Sequence, residues 1–242
     1  MLTKGCPGLR TRPSETARFT DHLWDRTKEL RGAIDELEFL RRLGDGTLPL
    51  EVFRTYVEQD SLYLAGYSKT LSLLAAKSPD PETARFWAQS AGSAVAVETA
   101  LHQDLLTGGR IPERTDEPEH STACLAYVSY LIATAATESY AVGAAAALPC
   151  FWIYAEVGRD LAATAAEVLA ADPEHPYAQW VSTYGAAEFQ ESAATARSLV
   201  DAAAATAGAK DLAAMETAFV IATRYELMFW DTALHPQPWP AG

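Results

Sequence analysis

The apolar residues of this sequence are spaced as in helices along nearly its whole length, and this restricts the fold more than any other feature. Between residues 53 and 74 apolar or aromatic side chains recur every three or four positions, as they do on one face of a helix. No stretch alternates apolar and polar residues as a half-buried strand does. Several predicted helices exceed about 20 residues and are joined by short turns, a pattern typical of antiparallel bundles. The sequence therefore predicts an all-α fold, a helical bundle in a single domain.

Turn residues divide this pattern into segments. The predicted helices cover residues 14–30, 37–43, 49–77, 81–106, 122–148, 150–170, 177–205 and 210–234. Pro149 is expected to break or kink the chain because proline lacks the N–H of a helix interior, and a bend is expected near Gly185. Residues 107–121 form the clearest predicted loop. Residues 1–13 are predicted to be a loose leader, residues 14–235 the helical domain, and residues 236–242 a Pro-rich tail.

The charge balance indicates which partners the protein avoids. The chain has 19 basic and 32 acidic residues, a net charge of −13. Such a chain repels phosphate backbones and anionic lipid headgroups. We therefore expect neither nucleic acid nor a membrane surface as a partner.

The cysteines and the apolar segments indicate the compartment. Cys6, Cys124 and Cys150 are widely spaced and form no CxxC pair, so neither a disulfide framework nor a zinc site is predicted. The N-terminal residues lack the apolar core of a secretory signal. The most apolar stretch, residues 141–155, is too short to span a membrane and is predicted to be a buried helix. These features favour a cytoplasmic protein.

Two acidic residues occupy positions where the helical period requires apolar ones. Asp60 lies on the apolar face of the predicted helix 49–77, and Glu226 lies on that of the last helix. Burying a carboxylate costs several kcal/mol unless it is paired or protonated. One interpretation is a polar pocket suited to proton transfer, and the other is two core carboxylates satisfied by neighbouring side chains.

A third candidate is Cys150, which directly follows Pro149. If proline opens the helix there, the cysteine lies near a positive helix end, which lowers the pKa of a thiol. Tyr154 lies one turn further on the same face. The alternative is an inert buried cysteine, the commoner role of a free cysteine.

A metal site is the weakest of the chemical hypotheses. Glu98 and His102 are four residues apart and would share a helix face. A di-iron bundle needs several further inward Glu and His ligands, which the sequence does not offer at the same spacing. We therefore predict no metal site.

Four blocks of the sequence resemble conserved segments of the TenA / thiaminase II family. They are QDSLYL at 59–64, YVSYL at 127–131, LPCFWIY at 148–154 and YELMFWD at 225–231, and Tyr184-Gly185 follows the third block in the order expected for the family. The similarity covers about residues 19–234, and the last two blocks together are specific. The resemblance implies a haem-oxygenase-like helical bundle without haem, usually a homotetramer, with a dimer as the alternative. It also implies hydrolytic release of hydroxymethylpyrimidine from thiamin or from its aminopyrimidine degradation products, without a cofactor.

The resemblance also implies roles for individual residues. Cys150 matches the family nucleophile, Glu226 the acid/base, and Asp60 the carboxylate that holds the aminopyrimidine. The other matched positions bind or flank this small-molecule substrate: Tyr63, Tyr127, Tyr154, Tyr184 and Phe229. The three polar exceptions found from the helical period are thus the three residues that the family would use.

The sequence departs from the family in two places. Residues 34–39 read IDELEF where many members carry His-Pro-Phe, and the leader is longer than usual. Both differences leave open whether thiamin or an aminopyrimidine is the preferred substrate. The alternative functions are a metal-dependent oxidase on the same bundle, suggested by Glu98 and His102, and a TenA-like binding or regulatory protein.

Overall fold

The structure is a computed structural model that describes residues 18–101, 118–172, 175 and 177–240, without the side chains of 97–101 and 179. All regular elements in these ranges are helices, which confirms the predicted all-α class. The described residues contain α1 (Phe19–Arg26), α2 (Lys28–Asp35), α3 (Glu38–Gly44), α4 (Leu50–Lys77), α5 (Pro81–Leu101), α6 (Thr122–Thr137), α7 (Tyr140–Thr164), α8 (Ala166–Ala171), α9 (Ala178–Gly185), α10 (Ala187–Thr206) and α11 (Ala209–Thr232).

The predicted first helix is in fact two helices that meet at Thr27. The Thr27 side chain is fully buried, and its hydroxyl donates to the carbonyl oxygens of Leu23 at 3.0 Å and Trp24 at 3.3 Å. A threonine hydroxyl that bonds the preceding turn competes with the regular helical ladder, which ends α1 here. Residues 14–17, where the helix was predicted to begin, lie outside the described residues.

The break predicted at Pro149 is wrong, because α7 runs through this proline without interruption. The chain instead breaks between α6 and α7, where Ser139 caps α7 by accepting a hydrogen bond from the Val142 amide. The Lys77 ammonium donates to the carbonyl oxygens of Ala136 and Glu138 at 2.8 Å each, satisfying the end of α6. The break at Gly185, by contrast, was predicted, since extended Ala186 separates α9 from α10.

Helix α7 forms the centre of the bundle and packs against α4, α6, α9, α10 and α11. Residues 142–155 are all buried, which explains how the helix tolerates a proline: the surrounding helices pack against it on every side. Among the described residues, α7 is the one helix long and apolar enough to cross a membrane, and 89% of its most apolar 18-residue window is buried inside the protein.

A four-layer stack fixes α7 to its neighbours. Trp24 and Trp152 stack with ring centroids 3.9 Å apart, and the guanidinium groups of Arg31 and Arg197 cover the outer faces at 3.6 Å and 3.8 Å. Each guanidinium group is attracted electrostatically to the aromatic face that it covers, in addition to the apolar contact between the two tryptophan rings. The stack joins α1, α2, α7 and α10 and sets the rotation of α7, which determines where Cys150 points.

The predicted division into a leader, a helical domain and a tail remains a prediction. Residues 1–13 and the last two residues of the tail lie outside the described residues, as do residues 102–117, which include most of the predicted loop. The tail residue Trp239 is described, and its indole N–H donates to the carbonyl oxygen of His120 at 3.0 Å. The chain turns at 45–46 after α3, with Gly46 at a φ of 74°.

Candidate active site

A cavity of about 120 Å³ lies between α4, α5, α7, α9 and α10. Five of the residues singled out from the sequence line it: Asp60, Tyr63, Cys150, Tyr154 and Tyr184. The remaining lining is mostly apolar or hydroxyl-bearing: Leu64, Tyr67, Leu71, Ser90, Ser93, Ala94, Phe151, Thr183, Phe189 and Ser192. A mostly apolar pocket with a few convergent polar groups is the usual form of a small-molecule site.

The carboxylate of the cavity is provided by Asp60, which is 2% exposed. The hydroxyl of Tyr184 donates to its Oδ2 at 3.3 Å. The ring of Tyr154 lies 5.0 Å from that of Tyr184, and the Tyr154 hydroxyl is 3.1 Å from the hydroxyl of Tyr56. Aromatic rings and phenol groups thus surround a carboxylate that faces the cavity.

The other three predicted residues lie behind the cavity wall. Glu226 is fully buried, and the hydroxyl of Tyr127 donates to its Oε1 at 2.6 Å. Phe229 packs its ring 5.4 Å from that of Tyr63, and Tyr63 in turn lies 5.0 Å from Tyr127. Tyr63 lines the cavity and also contacts Tyr127 and Phe229, which do not line it.

Burial raises the pKa of Glu226 to about 8, against the hydrogen bond from Tyr127, which favours the ionised form. Asp60 adds to the increase through its negative charge, and the indole of Trp230 opposes it. At neutral pH this carboxyl therefore carries a proton. Its Oε2 atom has no aligned hydrogen-bond partner among the described residues.

The Cys150 thiol lies in the middle of α7, 8% exposed, and not at a helix end. The predicted lowering of its pKa is therefore wrong. Burial raises the pKa of the thiol well above its usual value, and the charges of ionised Glu226 and of Asp60 raise it further. Hydrogen bonding from Tyr63 and Tyr67 acts in the opposite direction. A thiol in the apolar centre of a helix has no positive helix end to stabilise its thiolate.

Sequence reasoning missed Tyr67 and the hydroxyl residues at the cavity mouth. Tyr67 lies four residues after Tyr63 and seven after Asp60, on the same face of α4, so its helical position could have identified it. Ser90, Ser93 and Ser192 line both this cavity and an open depression next to it, so they form the cavity mouth. These serines lie outside the sequence blocks that resemble the family, so nothing in the sequence indicated that they line a site.

The metal hypothesis receives no support from the part of the chain that is described. No group of three or more His, Cys, Asp or Glu side chains is arranged to hold a metal ion within these residues. The side chain of Glu98 and the whole of His102 lie outside them. The second buried cysteine, Cys124, lies beside His120 at 3.4 Å and does not line the cavity.

The comparison with known families agrees with this arrangement. The profile of the TENA/THI-4/PQQC family matches residues 24–235. The chain belongs to the TENA/THI-4/PQQC family. The TenA resemblance seen in the four sequence blocks is thus confirmed, and the matched range contains all eight predicted site residues.

Two curated proteins illustrate which sequences this chain is similar to. The aminopyrimidine aminohydrolase of Bacillus subtilis is 34% identical over 203 residues, which cover 83% of each chain. The thiamine biosynthesis multifunctional protein ThiED of Corynebacterium efficiens is 38% identical over 215 residues, which cover 89% of this chain. The chain spans only 28% of the length of that multifunctional protein.

Two solved structures have the same fold as this chain. A TenA homologue from Pyrococcus horikoshii is 28% identical, with a TM-score of 0.77 and coverage of 90% of this chain and 99% of that one. A domain from Shewanella denitrificans described as having a heme oxygenase-like fold is 11% identical, with a TM-score of 0.69 and coverage of 91% and 94%. The predicted haem-oxygenase-like bundle is therefore confirmed.

Proposed function

We propose that this protein is a hydrolase that releases 4-amino-5-hydroxymethyl-2-methylpyrimidine from aminopyrimidine products of thiamin degradation, from thiamin, or from both. The observation that carries the proposal is one apolar cavity in which a cysteine and a carboxylate face the same space, with a protonated carboxyl directly behind its wall. The Bacillus subtilis relative, which matches the chain over most of both lengths, is an aminopyrimidine aminohydrolase.

The cavity suits a flat, basic heterocycle. Asp60 accepts hydrogen bonds from the amino group and the adjacent ring nitrogen, a directional and charge-assisted contact. Tyr184 holds that carboxylate in place through its hydroxyl. Tyr63 and Tyr154 supply aromatic surface for the ring, since both line the cavity. A cavity of about 120 Å³ holds a single small ring, so the group on its methylene points toward the serine-lined mouth.

Cys150 acts as the nucleophile. Its thiol gives up a proton, the sulfur forms a bond to an electron-poor ring carbon, and a ring nitrogen gains a proton. The electron pair made available in the ring then expels the amine from the methylene carbon, and the amine leaves with an added proton. Water adds to the methylene and loses a proton, after which the carbon–sulfur bond breaks, the ring nitrogen gives up the proton that it gained, the sulfur regains one, and the aromatic ring reforms.

Glu226 handles the protons of the leaving group and the water. With a pKa raised to about 8 it enters the cycle protonated, donates to the departing amine, and then accepts a proton from water. The hydrogen bond from Tyr127 stabilises the ionised carboxylate between these two steps. Because Glu226 does not line the cavity and its partner Tyr127 contacts Tyr63, the Tyr63 hydroxyl or a water molecule relays the proton to the cavity.

We also propose that the protein works in the cytoplasm as a homotetramer or a dimer, with this pyrimidine as its partner and without a cofactor. The expectation of a homotetramer or a dimer comes from the resemblance to the TenA family, to which the family match adds support. The net charge of −13 disfavours nucleic acid and anionic membranes as partners. Sedimentation equilibrium measures the oligomeric state, and a monomer at working concentration contradicts this part of the proposal.

The test is a parallel assay of the purified protein on thiamin and on 4-amino-5-aminomethyl-2-methylpyrimidine. Wild-type protein is expected to release hydroxymethylpyrimidine from at least one of them, and Cys150→Ala is expected to abolish release with an unchanged helical circular-dichroism spectrum. Cys124→Ala is the matched control, because it removes a buried thiol that does not line the cavity. Retained turnover in Cys150→Ala refutes the nucleophile, and no turnover of either compound by wild type refutes the function.

A further inference from the structure

A second tyrosine of α4 lies next to the reactive sulfur. Tyr67 is 3% exposed and lines the cavity together with Cys150. Its ring stacks on that of Tyr63, with centroids 5.4 Å apart and an angle of 18° between the planes. Its hydroxyl donates a hydrogen bond of 2.8 Å to the carbonyl oxygen of Ala147. Neither the sequence blocks nor the proposed mechanism gives this side chain a role.

The position of Ala147 brings that hydroxyl to the sulfur. Ala147 and Cys150 are three residues apart in α7, so the carbonyl of one and the side chain of the other share a helix face. A phenol has one proton to donate, and it can turn about the carbon–oxygen bond between two neighbouring acceptors. While Cys150 is a thiol, the carbonyl of Ala147 is the better acceptor, and the structure has this arrangement.

We propose that the Tyr67 hydroxyl is stored on the Ala147 carbonyl in the resting protein and turns to the Cys150 sulfur when the thiolate forms. Tyr67 is thereby a catalytic residue that touches the reacting atom, alongside Tyr63. This inference deepens the proposed function, because it explains how a thiolate forms at a site of this kind.

The groups around the Cys150 sulfur explain why its thiolate needs a hydrogen-bond donor. The described residues that line the cavity include no histidine, lysine or arginine that could pair with a thiolate. Burial and the carboxyl groups of Glu226 and Asp60 all disfavour the thiolate, and the tyrosine hydroxyls favour it. Tyr67 keeps its own proton throughout, because burial raises its pKa well above the usual value. The cysteine proton therefore leaves by another route, and Tyr67 contributes only the hydrogen bond.

The experiment measures the reactivity of Cys150 without any substrate. The rate of alkylation by iodoacetamide is followed against pH in a Cys6→Ala, Cys124→Ala background, so that Cys150 is the one cysteine that reports. Tyr67→Phe is expected to slow alkylation at neutral pH about 10- to 100-fold and to move its pH midpoint upward, as expected for losing one hydrogen bond to a charged group. Turnover of the aminopyrimidine is expected to fall through kcat, with little change in KM.

Tyr140→Phe is the matched control, since Tyr140 also lies in the bundle and its hydroxyl accepts a hydrogen bond from the Trp87 indole, away from the cavity. It should leave the alkylation profile unchanged. A fluorinated tyrosine at position 67 keeps the ring and the hydroxyl, and as a stronger acid it should move the midpoint downward.

The outcomes separate the two proposals. An alkylation profile that is the same in wild type, Tyr67→Phe and the fluorinated protein overturns the role of Tyr67, and a fall in melting temperature alone would mark its hydroxyl as structural. If wild-type protein hydrolyses neither pyrimidine but the profiles still shift in opposite directions, the proposed function fails and the link between Tyr67 and Cys150 stands.

Discussion

Replacing Glu226 with glutamine should make the protein more stable at alkaline pH while it removes the acid/base group. The carboxyl is fully buried, and its pKa rises from 4.5 to about 8 on folding. Between these values the unfolded chain ionises this group and the folded protein keeps it protonated. The stability that the neutral carboxyl provides is therefore present below about pH 4.5 and is lost as the pH rises to about 8.

The size of this change in stability follows from the pKa shift of Glu226. Each pKa unit corresponds to about 1.4 kcal/mol, so Glu226 lowers the free energy of unfolding by up to about 5 kcal/mol above pH 8, as an order of magnitude. Glutamine has the same shape, stays neutral, and keeps an oxygen for the Tyr127 hydroxyl. The stability difference between Glu226→Gln and wild type should therefore grow in favour of the variant from mildly acidic to alkaline pH.

Urea unfolding followed by circular dichroism, at several pH values from about 4.5 to about 9, measures this difference. Titrating groups other than residue 226 are the same in both proteins, so their contributions to the stability difference cancel. The cost of burying the amide adds a constant to this difference, because it does not vary with pH. The same variant should lose about 10²-fold or more of its turnover. A stability difference that is independent of pH would refute the buried, protonated state of Glu226, and near wild-type turnover would refute its role as acid/base.

Two further predictions concern the cavity and its frame. Asp60→Asn should raise KM for the aminomethylpyrimidine about 10- to 100-fold, with a smaller effect on kcat, because it removes one hydrogen bond to a charged group. An unchanged KM would contradict the role of Asp60 in binding. Gly158→Ala should destabilise the protein by about 1–3 kcal/mol and reduce activity, because the added carbon would lie 2.5 Å from the backbone oxygen of Tyr184 and must displace α9. Gly32→Ala is its control, since a Cβ there meets nothing within 4 Å, and it should stabilise α2 by about 0.5–1 kcal/mol. Urea unfolding separates the two glycine variants, and equal stability in both would refute the steric argument.

The structure differs from the sequence-based expectation most clearly at Pro149. Proline was expected to end a helix because it removes one backbone donor. In the structure the surrounding helices bury residues 142–155 and α7 continues through the proline, while Ser139 and Lys77 satisfy the real helix ends about ten residues earlier. The same change moved Cys150 from a helix end to a helix centre, which reverses the direction of its predicted pKa shift.

Periodicity and composition are local properties, so they predicted the all-α class, most helix boundaries, and the two carboxylates that interrupt apolar faces. The resemblance to the family then indicated the five residues that line the cavity and the three that do not. The helix packing was needed to show that Asp60 and Cys150 share one cavity, that Tyr63 connects it to the Tyr127–Glu226 pair, and that the Tyr67 hydroxyl bonds the carbonyl of Ala147, three residues before Cys150. These relations join α4, α7 and α11, which are far apart in the chain, and they depend on how the packed helices are rotated against each other.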